Sequence, residues 1–221
     1  MDKKKMPTAF HGVKGLKFAK KGAETYETPI VIEFAKSLSY QKQRNDSQII
    51  YANNVQIDEI PNGGYAEGSI GVTGTSVPLE TLLGAIAETD IGIVEMMEDS
   101  LVRGAIGYIV TVRDPDTKKP ADVKVWILNA TVNTTGQETN QTDEDTITIG
   151  EKTYDYRAYG EQVKINDEEK TIIRIKSYPG DKNYETFLNA VPEFGTLTVT
   201  TSTLSAPAQT QVQTGSTTRD K

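Results

Sequence analysis

YANNVQIDEIPNGGYAEGSIGV, residues 51–72, is the stretch whose reading decides the fold. Asn62, Gly63 and Gly64 mark a tight turn, because Asn and Gly tolerate positive φ. Residues 65–73 then alternate. Ala66, Gly68, Ile70 and Val72 point one way, and Glu67, Ser69, Gly71 and Thr73 the other. Period-two patterning of this kind belongs to a strand with one buried and one open face.

The same signal recurs upstream. Residues 36–43 place Leu38 and Tyr40 on one side and Ser37, Ser39, Gln41 and Gln43 on the other. Between the two alternating segments, residues 44–64 read as a polar, Asn- and Gly-rich loop. It carries two apolar patches, Ile49, Ile50 and Tyr51, then Val55, Ile57 and Ile60. Loops are usually polar surface features, so these patches call for a docking partner.

Downstream, residues 76–88 predict a short helix. Ser76 is placed to cap it, Pro78 suits its first turn, and Leu79, Leu82, Leu83 and Ile86 repeat at helical spacing. Further strands are expected at 13–19, 29–34, 91–97, 103–113, 123–132, 146–149, 152–162 and 171–178. Trp126, the single tryptophan, is expected in the core. A second short helix is expected at 181–190, stopped by Pro192. Many short strands with one or two short helices give a mostly β fold, a β-sandwich or partial barrel.

Three segments follow: an N-terminal arm at 1–12, one β domain at 13–194, and a tail at 195–221. The tail holds 12 Ser/Thr among its 27 residues, with charges only at its last three positions. A linker of that composition has too little apolar surface to order itself; residues 196–201 alone read as an edge strand.

Composition narrows the function. Without cysteine there are no disulfides, thiolate metal sites or cysteine nucleophiles. The longest apolar runs fall far short of the roughly 20 residues that span a bilayer. The basic first residues lack the apolar stretch of a signal peptide, so a chain that is soluble when made, with no membrane insertion, is expected. Net charge is −7, split as +3 over residues 1–60 and −10 over 61–221. That balance disfavours tight phosphate binding, which needs clustered cations. It suits either plain surface solubility or head-to-tail contact between a mildly basic and an acidic end.

Catalytic signatures are missing. His11 is the only histidine and has no G-x-S-x-G elbow to serve. The acidic clusters at 114/116, 143–145 and 167–169 lie in turn-like sequence and lack EF-hand spacing, which leaves adventitious Ca²⁺ or Mg²⁺ as their most. No phosphate-cradling glycine motif occurs. The expectation is a protein that is not an enzyme, with no catalytic, cofactor or metal site.

An ordered set of segments, GVKGLKFA (12–19), YETPIVI (26–32), YANN (51–54), NGGYAEGSIGV (62–72) and PLETLLGAI (78–86), resembles the major tail (tail tube) proteins of long-tailed, non-contractile phages of Gram-positive bacteria. The likeness in element order covers residues 10–190. It implies a β-sandwich subunit that forms hexameric rings, stacked head-to-tail into a hollow tube through which double-stranded DNA leaves the virion. It implies the tape measure, tail terminator and distal tail proteins as partners, a location in the phage tail, and assembly in the host cytoplasm. The 44–64 loop would then be the inter-ring contact, through Ile49, Ile50, Tyr51, Val55, Ile57 and Ile60. Some members of that family carry an immunoglobulin-like domain after the core, where this chain has its Ser/Thr/Gln-rich tail.

Under this resemblance Ser37, Ser39, Gln41, Glu67, Ser69 and Thr73 would face the channel. No Lys or Arg stands among them. Cations would grip a duplex carrying about one charge per 1.7 Å of axis, and a polar, weakly acidic wall would let it slide. Ordinary solvent-facing sheet residues are the other reading of the same pattern. Two further function classes remain open: another tail assembly or capsid decoration component, and a carbohydrate-binding or hydrolytic β-sandwich.

Overall fold

The structure is a computed structural model of the 221-residue chain and describes residues 10–44, 48–52, 55–60, 63–97, 101–114, 117–134, 150–166 and 168–194. The fold is mostly β. Its main sheet begins with β1 (Phe10–Lys20), a strand that takes in the end of the expected N-terminal arm. β1 pairs with β2 (Ile30–Val31) on one side and β10 (Arg103–Arg113) on the other. β10 pairs with β11 (Pro120–Val132), β11 with β12 (Glu151–Ala158), and β12 with β7 (Gly64–Thr73). β7 is edged by β3 (Ala35–Leu38) and β4 (Gln41–Arg44). All these pairings are antiparallel.

The two ends of this sheet are joined by one short stretch of chain. Ile30 and Val31 pair with β1, and the Ile32 N–H bonds the Leu16 carbonyl. A few residues on, Ala35, Ser37 and Leu38 pair with β7 at the far end. The sheet therefore curls into a half-barrel around an apolar interior. Phe34, at φ 58°, makes the step between the edges, which is why the strand expected over 29–34 shrinks to two residues. Leu16, Phe18, Ile70, Val72, Ile106, Ile127 and Tyr154 fill the interior. Burial of one such aliphatic side chain stabilises by about 1.5–3 kcal/mol.

β10 and β11 are buried on both faces. Outside the barrel Ala105, Trp126 and Leu128 meet Phe187, Leu188 and Val191. This explains why their sequences read as continuous apolar runs instead of alternating. Gly107 lies under the indole, and a Cβ there would stand 2.6 Å from Trp126 Cζ3.

The covering segment, residues 181–190, was expected as a helix and is a series of turns. The N–H groups of Tyr184, Phe187 and Asn189 reach only three residues back. The sheet takes the carbonyls that a helix would use. Trp126 Nε1 donates to Phe187 O at 2.8 Å, Lys124 Nζ to Tyr184 O at 2.7 Å, and Lys17 Nζ to Leu188 O at 3.0 Å.

Other boundaries also differ from expectation. The 36–43 segment is two strands, interrupted at Ser39 and Tyr40. The 44–64 segment is no plain loop: β5 (Gln48–Ala52) and β6 (Val55–Ile60) form a hairpin within it. The helix α1 (Val77–Leu83) stops early because Gly84 adopts φ 77°, and Ile86 starts a strand instead. Ser76 makes no side-chain cap; Tyr154 Oη accepts from its backbone N–H at 3.2 Å. Among the described residues, β8 (Ile86–Thr89) and β9 (Gly92–Glu95) pair only with each other. The 152–162 segment breaks at Gly160 into β12 and β13 (Glu161–Ile165), which pairs with β14 (Glu168–Ile172). Residues 171–178 likewise divide between β14 and β15 (Arg174–Ser177). The expected strands at 146–149 and 196–201 lie outside the described residues.

α1 docks through polar groups as well as Leu79 and Leu83. Glu80 is 3% exposed, ion-pairs with the buried Lys152 of β12, and accepts a bond from Tyr154 Oη at 2.6 Å. Removing one partner of a buried pair strands the other charge in a dry site, at a cost of about 3–5 kcal/mol. Lys152→Met is expected to lose stability of that order in urea unfolding, and Lys152→Met with Glu80→Leu to regain most of it.

Candidate functional site: an uncovered polar sheet face

The outer surface of the half-barrel has two unlike halves. Over β1, β10 and β11 it is covered by residues 178–194. Over β3, β4, β7 and β12 it carries no cover from the described residues. The six residues expected on a channel wall all lie on this second half, and the strand register arranges them in rows.

Gln41 stands opposite Glu67, which stands opposite Arg157 and then Thr131. In the next row Ser39 and Ser69 interlock. The Ser39 N–H donates to Ser69 O at 2.9 Å, the Ser69 N–H to Ser39 Oγ at 2.8 Å, and the hydroxyls lie 3.0 Å apart. Asp155 continues that row. Ser37 then lies over Gly71 beside Thr153, and Thr73 pairs with Glu151. β12 alternates strictly, with its even residues buried and its odd ones exposed.

Sequence reasoning missed what β12 brings. The face was expected to be free of cations, but Arg157 sits on it, 3.6 Å from Glu67 and over the Tyr65 ring at 4.5 Å. Lys36 ion-pairs with Glu151 on the same side. Three carboxylates (Glu67, Asp155, Glu151) thus stand with the paired cations Arg157 and Lys36, and Arg103 of β10 continues the row beyond Thr131. The alternation of residues 151–158 is visible in the sequence; its pairing with β7 is not. Ser39, Glu67, Ser69, Asp155 and Arg157, with Arg103 at the rim, line an open depression of about 900 Å³.

The face is held from beneath. Tyr156 Oη donates to Ser39 O at 2.7 Å, and Gly68 leaves room for that approach, since a Cβ there would lie 2.1 Å from the same carbonyl. The position is a close backbone contact in a curved sheet.

Ile49, Ile50, Tyr51, Val55, Ile57 and Ile60 all fall on the β5–β6 hairpin, which forms a two-stranded sheet of its own; their side chains lie outside the described residues. His11 is exposed on β1. Asp114 ends a strand in a turn, and Glu169 is exposed on β14, while Asp116, the cluster at 143–145 and Asp167 are outside the described residues. Among the described residues no three potential ligands come together to hold a metal, and no helix is long and apolar enough to cross a membrane.

No protein-family model matches the sequence, and no curated protein matches it. Among solved structures, the chain is similar to one in the six-fold symmetrised cryo-EM structure of the anti-feeding prophage baseplate. The TM-score is 0.36 at 8% identity, over 77% of this chain and 97% of that one. A likeness of this size carries no functional argument.

Three tyrosines tie this architecture to pH. Burial raises the pKa of Tyr156, aided by Tyr108 and Tyr40, and burial likewise raises Tyr108. Tyr26 is raised by burial and by its bond to Glu161. A pKa raised on folding gives stability that is intact below the unfolded value of 10.0 and is lost as pH climbs above it. Stability is therefore expected to hold to about pH 10 and then to fall by up to about 1.4 kcal/mol per pH unit for each tyrosine. Urea midpoints between pH 8 and 12 measure this, with Tyr156→Phe flattening the decline.

Proposed function

We propose that this chain is a structural virion protein, a tail tube subunit that assembles into stacked, six-membered rings and conducts DNA. The observation that carries this reading is the uncovered face. A sheet covered on one half by its own chain leaves the other half bare, lined with serines, threonines and mutually paired charges. Beside it, β4 pairs only with β7 among the described residues, which leaves an edge able to continue the sheet into a neighbouring subunit. Ser37, Ser39, Gln41, Glu67, Ser69 and Thr73 would then line the bore. Arg157 and Lys36, each held by a carboxylate, would add little grip on a passing duplex. The tape measure, terminator and distal tail proteins follow as partners from the sequence resemblance, and the protein acts without enzymatic chemistry.

A second reading, another tail or capsid component, shares the bare sheet face but builds a different particle. Light scattering and negative-stain microscopy of the purified chain at rising concentration separate the two. Tubes of uniform bore support the first reading, closed rings or surface decoration the second, and a strictly monomeric chain neither. Deleting residues 46–58 is expected to leave a folded monomer, by circular dichroism, that no longer grows tubes; undiminished growth would remove that hairpin from the inter-ring contact.

A further inference from the structure

The β8–β9 hairpin stands apart from the main sheet. It is tied to α1 where the Ala85 N–H bonds Glu80 O, its ladder is extended by the Met96 N–H bonding Ala85 O, and it is closed at its tip by Thr89 Oγ1 donating to Gly92 O at 2.8 Å. Two-stranded hairpins of this kind are marginally stable by themselves. Ile91, Ile93 and Met97 are all exposed, Ile91 and Met97 at 86% and 95%. Glu88 lies across from Ile93, and Asp90 and Glu95 are exposed beside them. From residue 86 to 97 there is no Lys or Arg. The far end of the hairpin thus presents exposed apolar side chains among carboxylates, while its base, at Ile86, is buried.

A surface of opposite character lies elsewhere on the molecule. Between β1, β3 and β15 opens a cavity of about 390 Å³, walled by Leu38 and Val125 and by Tyr40, Tyr108, Arg174 and Lys176. The Arg174 guanidinium stacks on the Tyr40 ring at 3.9 Å and hydrogen-bonds Tyr108. No ion pair among the described residues involves Arg174. A guanidinium fixed in place by an aromatic ring is pre-organised to receive a carboxylate.

The two surfaces share no residue: the hairpin is built from β8 and β9, the cavity from β1, β3, β10, β11 and β15.

We propose that the β8–β9 hairpin of one copy seats in the Arg174 cavity of the next, with Ile91 against the apolar walls and Asp90 facing the guanidinium. The contact is heterologous, each copy offering a hairpin to one neighbour and a cavity to another, and contacts of this kind build rings or open stacks. This rests on the self-assembly reading above and supplies a joint between copies.

The test uses the full chain with Asp90→Arg, Ile91→Ser and Arg174→Glu, followed by sedimentation velocity and negative-stain microscopy. Each variant alone is expected to associate at least tenfold more weakly than the unaltered chain. An equimolar mixture of Asp90→Arg with Arg174→Glu should regain association, because alternating copies restore opposite charges at each joint. Asp90 and Ile91 are exposed at a hairpin tip, so their variants report on docking even if Arg174→Glu proves unstable. If the unaltered chain assembles and the Asp90 and Ile91 variants assemble equally well, this joint is wrong while the tube reading stands. An unaltered chain that never associates overturns both.

Discussion

One strand has to serve two partners on the same edge, and the rest of the fold follows from how it does so. β11 pairs with β15 through residues 124–127 and with β12 through residues 130–132. Between them Asn129 takes a left-handed turn, φ 51°, and the ladder to β10 slips by one residue. The junction is fully bonded on its backbone. The Leu128 N–H reaches Ile173 O, the Tyr159 N–H reaches Asn129 O, the Gly160 N–H reaches Leu128 O, and Asn129 Nδ2 donates to Gly160 O. A bulge of this sort adds local bend and twist to a strand. Here it sends β12 and β7 round to enclose the core, while β15 leads the chain back over the outside of β11.

Two unlike surfaces result. The half of the sheet on the β15 side is sealed by residues 178–194, through Trp126, Lys124 and Lys17. The half on the β12 side is left bare, and there the outward positions of three strands fall into register. That bare surface mixes serines and threonines with carboxylates and with Arg157 and Lys36, both held in ion pairs.

Much of this is legible in the residues. The alternation at 65–73 locates both the buried set, Ala66, Ile70 and Val72, and the outward set that includes Glu67 and Ser69. The runs at 103–113 and 123–132 are evident as strands because β-branched side chains crowd them. Other features are settled by tertiary contacts, which local pattern does not carry. Residues 181–190 have helix-compatible composition, but their carbonyls are claimed by an indole and two ammonium groups from distant strands. Ile86 continues the helical spacing of Leu79 and Leu83, but Gly84 ends the helix before it. Arg157 is plainly part of an alternating strand; that it faces Glu67 depends on a pairing across about ninety residues of sequence. The Glu80–Lys152 pair is hidden for the same reason.

The indole that fastens the outer segment has a practical corollary. Trp126 is the only tryptophan in the chain, and its ring nitrogen is bonded to the Phe187 carbonyl on the sealed side of the sheet. Its fluorescence is therefore a built-in gauge of whether that clasp is shut.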